Sequence, residues 1–134
     1  MMKYARFAVG FSFLALLGMM IQADEKLKDI KTCMKTLASG RDSLKNSVKS
    51  SLSKKDWSAL EKQSEQWVSI AETLTKSKPP KGTDDEWKEK TEAFLKSAKK
   101  LQDASGKKDS AIAKEAYAEL TNPKTCGGCH LAHR

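Results

Sequence analysis

Apolar residues recur along most of this chain at the spacing of a helix face. Leu27, Ile30, Met34, Leu37, Leu44, Val48 and Leu52 fall at steps of three, four and seven, the signature of an amphipathic helix. They predict a first helix over about Glu25–Leu52, interrupted at Ser39-Gly40. A second is expected over Trp57–Lys76, with Asp56 as N-cap and a buried face of Trp57, Leu60, Trp67, Ile70, Ala71 and Leu74. Lys78-Pro79-Pro80-Lys81-Gly82 breaks the pattern. Thr83, with Glu86 three residues on, forms a capping box that opens a third helix running to about Ala104. That helix buries Trp87, Phe94, Leu95, Ala98 and Leu101, and Ser105-Gly106 stops it. Asp109 caps a fourth, which carries Ile112, Ala116, Tyr117 and Leu120. Thr121-Asn122-Pro123 breaks or kinks it, and a last helical turn or two is expected to hold Cys126 to His133. Four amphipathic helices with short loops predict an all-α fold, an antiparallel four-helix bundle.

The first 23 residues read differently. Lys3 and Arg6 precede an uncharged, mostly apolar run over Phe7–Ile21, and Ile21-Gln22-Ala23 ends on a small residue. This is the layout of a secretory signal peptide. The run of about 15 residues is short of the roughly 20 that a membrane-spanning helix needs, so cleavage is expected rather than a retained anchor. No cysteine stands at the cleavage site, which gives a lipoprotein no support. The expected division is a signal peptide at residues 1–23 and one helical domain at 24–134, placed in the periplasm or otherwise exported.

Loss of Lys3 and Arg6 takes the formal charge from +8 to +6. Lysines alternate with acids along every segment, which describes solvated helix faces; a net positive surface also steers toward acidic partners. Export and the lack of a binding motif exclude nucleic acid as the expected ligand.

The chemistry concentrates near residue 130. Cys126-Gly127-Gly128-Cys129-His130 is the attachment signature of a c-type haem. Each thiol adds across a porphyrin vinyl group, and His130 ligates the iron. Two other uses of these residues weigh less. Cys126, Cys129, His130 and His133 are too crowded for a tetrahedral zinc site built from two separated ligand pairs. No βαβ pattern precedes the cysteines, as a thioredoxin-like redox motif would require.

A helical domain that ends Cys126-Gly127-Gly128-Cys129-His130-Leu131-Ala132-His133-Arg134 resembles the class II cytochromes c, the cytochrome c-prime type. Ile30-Lys31-Thr32-Cys33-Met34-Lys35 is similar to the IKxxMK segment in the first helix of a small subgroup, as is Pro79-Pro80-Lys81-Gly82 followed by Trp87. The resemblance implies four helices around one haem c attached near the end of the last helix. It also implies two readings of the second axial position. Members with a methionine on the first helix are six-coordinate electron carriers, and Met34 fits that place. Members with an apolar residue there bind small gases such as NO or CO at five-coordinate iron, and Leu37 fits theirs. Met34 is the one methionine outside the signal segment, although the plain reading of its place on the apolar stripe is a core gap-filler. Cys33 stands where the family often carries an arginine; if that arginine contacts a propionate, Arg134 or Arg41 is the expected substitute.

Other residues carry competing readings. Cys33 is either a small buried hydrophobe or an unpaired reactive thiol. Trp57, Trp67 and Trp87 fall on core faces, with Trp67 the one expected beside the porphyrin. His133 is expected at the haem edge or the surface, and Tyr117 has a hydroxyl without an assigned partner. The combined expectation is a monohaem cytochrome c, not an enzyme, with Cys126, Cys129, His130 and Met34 holding the cofactor. Its iron ligands are then His130 and Met34. Its expected partners are redox proteins with acidic faces, with homodimerisation left open and no membrane insertion once the signal is removed. Peroxidase-like chemistry would need distal polar groups that the sequence does not display.

Overall fold

A computed structural model of the chain describes residues 30–126 and residue 130. The expected signal segment, its cleavage site and residues 24–29 lie outside the described residues, as do Cys129, His133 and Arg134. The described residues form helices α1 (Ile30–Ala38), α2 (Leu44–Lys54), α3 (Trp57–Lys76), α4 (Asp84–Gly106) and α5 (Ser110–Thr121), with no strand among them. A further helical turn covers residues 123–126. No helix among the described residues is long and apolar enough to cross a membrane.

The first expected helix is two helices. Gly40 has φ +83°, a conformation that glycine adopts without steric cost. Ser43 then caps α2, its Oγ accepting from the Asn46 N–H at 3.4 Å. The Asn46 side chain reaches back and donates to the Gly40 carbonyl at 3.1 Å. The interruption is thus a capped turn that lets α1 take a direction of its own.

The other boundaries follow side-chain capping. Asp56 Oδ1 accepts from Ala59 N–H at 3.2 Å, Thr83 Oγ1 from Glu86 N–H at 3.3 Å, and Asp109 Oδ1 from Ile112 N–H at 3.1 Å. The third expected helix runs two residues past Ala104, to Gly106.

The most extensive contact is between α3 and α4, followed by α4 with α5. Contacts of α2 with α3 and with α5 close a ring of four helices, and α1 packs on α2 and α3. Three polar contacts give the register. Lys100 on α4 donates to Glu115 at 2.7 Å and to Glu119 at 2.8 Å on α5, and Ser97 donates to the other Glu119 oxygen at 2.9 Å. Earlier α4 residues thus meet later α5 residues, so the pair is antiparallel.

Leu60, Trp67, Ile70, Ala71 and Leu74 of α3 are buried, as are Trp87, Ala98 and Leu101 of α4. Three expected core residues, Trp57, Phe94 and Leu95, are half-buried against this core. Ile112 is 41% exposed. It sits in the first turn of α5. Trp67 packs edge-on against Tyr117, ring centres 6.2 Å apart, and the Tyr117 hydroxyl donates to the Lys45 carbonyl at 3.2 Å. Indole Nε1 of Trp67 and Oε1 of Gln63 are buried without a hydrogen-bond partner among the described residues.

Two predictions follow from packing and charge. Leu60→Ala empties a fully buried position in the middle of the ring and should lower stability by about 2–5 kcal/mol. Asp109→Ala removes one cap and should cost about 1 kcal/mol. Urea unfolding that ranks the cap above the core would contradict this packing.

The second concerns pH. Hydrogen bonds from Lys100 and then Ser97 hold the Glu119 carboxyl below its ordinary pKa. A lowered acid stabilises the fold above the unfolded value of about 4.3, and that contribution is lost as pH falls through the folded one. Hydrogen bonds to Glu115 and Glu119 raise the Lys100 ammonium, and burial raises the Tyr117 phenol. Raised groups stabilise below about pH 10 and lose that contribution as pH rises through their folded values. Glu119→Gln should therefore flatten the acid limb of a stability–pH profile and leave a loss at high pH. An unchanged acid limb would show that the Lys100–Glu119 contact does not persist in solution.

Candidate functional site

The turn after α5 is built by Asn122. Its Oδ1 accepts from Lys124 N–H at 2.8 Å, and its carbonyl accepts from Thr125 N–H at 2.9 Å and Cys126 N–H at 3.1 Å. Pro123 takes the first helical position, where its fixed φ and missing N–H cost nothing. The sequence showed these residues as a breaker; they also start the turn that presents Cys126. The Cys126 thiol is exposed, with Sγ 3.7 Å from the Leu120 carbonyl. His130, four residues further on in the sequence, is exposed and helical.

Facing this turn is an apolar cavity of about 190 Å³. Met34 and Leu37 line it from α1, and Leu74 from the end of α3. Trp87, Thr91 and Phe94 line it from α4, and Cys126 and His130 from the C-terminal segment. Met34, Cys126 and His130, far apart in sequence, thus meet at one cavity. Cys129 lies outside the described residues.

The placement of α1 explains how Met34 gets there. Cys33 and Leu37 are buried and hold the helix down, while Met34, on the same side, is half-buried. The thiol of Cys33 is therefore inside the core, as a small hydrophobe would be.

The polar atoms of the α4 wall are engaged elsewhere. The Trp87 indole donates to the Leu74 carbonyl at 2.9 Å. The Thr91 hydroxyl donates to the Trp87 carbonyl at 2.8 Å. What these side chains leave for a guest is mainly hydrocarbon and aromatic surface. The tryptophan at the cavity is Trp87, in place of the expected Trp67, which faces Tyr117 instead. Helical periodicity places both on a core face but does not say which end of the bundle holds the cavity.

Lys90 and Lys124 complete the charged lining; sequence reasoning missed both among many surface lysines. Arg41 is exposed in the turn between α1 and α2 and does not line the cavity. A second cavity of about 280 Å³ shares Ala93, Phe94 and Thr125 with the first, and Ser97, Glu119 and Asn122 give it polar walls.

The donor set fits haem c. The imidazole of His130, the thioether of Met34 and the thiol of Cys126 line one cavity, and these are donor types that suit haem iron and its attachment. The apolar walls suit a porphyrin body. Among the described residues no three His, Cys, Asp or Glu side chains gather as a metal cluster. No protein-family description, no curated protein and no solved structure matches the chain.

In the haem-free chain Cys126 should react with a thiol reagent under native conditions. Cys33, 0% exposed, should be labelled only on unfolding. Mass spectrometry of digested, labelled protein checks this, and native labelling of Cys33 at the rate of Cys126 would contradict the placement of α1.

Proposed function

We propose that this chain is an exported monohaem c-type cytochrome that carries single electrons between redox proteins. The observation that carries the reading is the meeting of Met34, Cys126 and His130 at one apolar cavity. The fold implied is an antiparallel four-helix bundle with its cofactor between α1, α3, α4 and the C-terminal turn. The export segment at residues 1–23 supports a periplasmic location, where covalent attachment is carried out.

Haem bound there supplies a one-electron ferric–ferrous couple. The chain does the rest. Cys126 and Cys129 would hold the haem covalently, each adding S–H across one vinyl group, the sulfur to one carbon and the hydrogen to its neighbour, so that no atom is lost. His130 would offer an imidazole nitrogen to the iron, and Met34 a thioether sulfur. A neutral, soft sulfur donor in an apolar site favours the ferrous state. Leu74, Trp87 and Phe94 keep water from the macrocycle. The reading is of a carrier, not an enzyme.

One observation favours a second reading. Leu37 lines the same cavity as Met34, the apolar residue expected beside an open iron position in a protein that binds NO or CO. The choice rests on Met34.

Co-expression with a cytochrome c maturation system and absorption spectroscopy test both readings. The carrier should give a low-spin spectrum with a sulfur–iron band that Met34→Ala abolishes. A high-spin spectrum that responds to CO and is indifferent to Met34→Ala would establish the gas-binding reading instead. The double variant Cys126→Ala/Cys129→Ala should lose covalent haem completely, and covalent haem retained in it would end the assignment.

A further inference from the structure

The net positive charge of the described residues is confined to the first two helices and the turns that bound them. Residues 30–55 hold seven lysine and arginine side chains against one acid, Asp42, whereas residues 56–126 hold thirteen basic and thirteen acidic ones. The alternation of lysines and acids expected along every segment therefore holds for α3, α4 and α5 and fails in α1 and α2, which contain no acid. On α2 the exposed positions are Lys45, Asn46, Lys49, Ser50, Ser53 and Lys54, an arc of about half the helix circumference without a carboxylate. Among the described residues Lys45, Lys49 and Lys54 form no ion pair.

A cationic face beside a neutral remainder gives a directed field, which orients an approaching anionic surface as well as attracting it. The face continues onto α1, where Lys31 and Lys35 are exposed and Met34 lines the cavity. We infer that the outer face of α1 and α2 is the docking surface of this chain, and that its partner is a protein presenting carboxylates there. That the partner is a redox protein rests on the carrier reading; that it is acidic rests on the charge alone. An anionic lipid surface suits the face less well. Helices that lie on a bilayer set apolar side chains into it beside their lysines, and α2 buries its own, Leu44, Val48 and Leu52, in the core. Ile112, the large apolar side chain exposed among the described residues, is on α5. Lysine–carboxylate pairs in water are individually weak. Such a complex forms by steering and separates readily, as a carrier that serves two partners in turn requires.

The probe is a flavodoxin, a small acidic one-electron carrier, titrated into the mature full-length chain and followed by NMR. Salt of about 0.1 M screens charges more than about 10 Å apart, so that lysines at the contact dominate over net charge. The wild type should bind with its shifts on α1 and α2. Lys45→Gln/Lys49→Gln should weaken binding about two- to thirtyfold, the value of two water-exposed ion pairs, and Lys45→Arg/Lys49→Arg should keep the wild-type affinity. Lys99→Gln/Lys114→Gln makes the same change in net charge at exposed positions of α4 and α5 and should weaken binding less than about twofold. Circular dichroism checks that each variant is folded.

Equal weakening by the two glutamine pairs would show that net charge and not this face is responsible, and would overturn the inference. No binding to flavodoxin would overturn it too. Vesicles of phosphatidylglycerol and phosphatidylcholine are the second probe: a wild type that binds them through Lys45 and Lys49 and ignores flavodoxin would assign the face to a membrane instead. The titration needs no haem, so the two readings fail separately. A chain that takes up no haem and still binds flavodoxin through α2 would end the cytochrome reading and leave the docking face standing.

Discussion

A single buried hydrogen bond fixes the frame on which the cavity hangs. Indole Nε1 of Trp87 donates to the Leu74 carbonyl at 2.9 Å. That carbonyl lies in the last turn of α3, where it also accepts from the Ser77 N–H at 3.3 Å. Trp87 lies in the first turn of α4. The bond therefore ties the two most extensively packed helices together across the Pro79-Pro80 loop. Leu74 and Trp87 also both line the cavity. The contact that sets the α3–α4 seam thus sets the cavity wall, and a shift of one element must reshape the other.

The seam also explains why the two ends of the ring differ. Away from the cavity, Trp67 meets Tyr117 edge-on and the Tyr117 hydroxyl reaches α2 through the Lys45 carbonyl. There α2, α3 and α5 close on one another with aromatic bulk. Toward the cavity, α2 gives way to the shorter α1 and the terminal turn begins after α5. Between them stands space that no side chain fills.

How much of this was legible in the sequence depends on the range of the interaction. Asp56, Thr83 and Asp109 announced helix starts because a cap acts on an N–H two or three residues away. The stripes on α3 and α4 announced their buried faces because periodicity is also local. The Cys126–His130 spacing is equally local, and it is the starting point of the function proposed. The turn over residues 39–43 was half legible: Gly40 marked an interruption, but the Asn46 side chain that ties it acts over six residues and carries no recognisable pattern. Trp87 over Trp67 was not legible, since the choice depends on which end of the ring is left open. Neither was the place of Lys90 and Lys124 on the cavity wall, which only tertiary packing singles out from the other lysines. Ile112 looked like core because it stands four residues before Ala116, and periodicity does not show whether a neighbour covers a position.

What remains is how a helix as short as α1 can keep Met34 at the cavity. Nine residues are below the length at which an isolated helix is stable in water. Its position must therefore come from packing, and two buried side chains provide it, Cys33 and Leu37. Leu37 serves twice, since it also lines the cavity. A guest in that cavity would touch Met34 and Leu37 together, so its binding energy would add directly to the packing that orders α1. The same coupling works in reverse: an α1 loosened by loss of its buried contacts would take Met34 from the cavity without any change at residue 34. The capped turn at Gly40 makes this local, because α1 can move while α2 stays packed in the ring. Ligand position and helix position are then one equilibrium, governed by the fit of two small apolar side chains against the core.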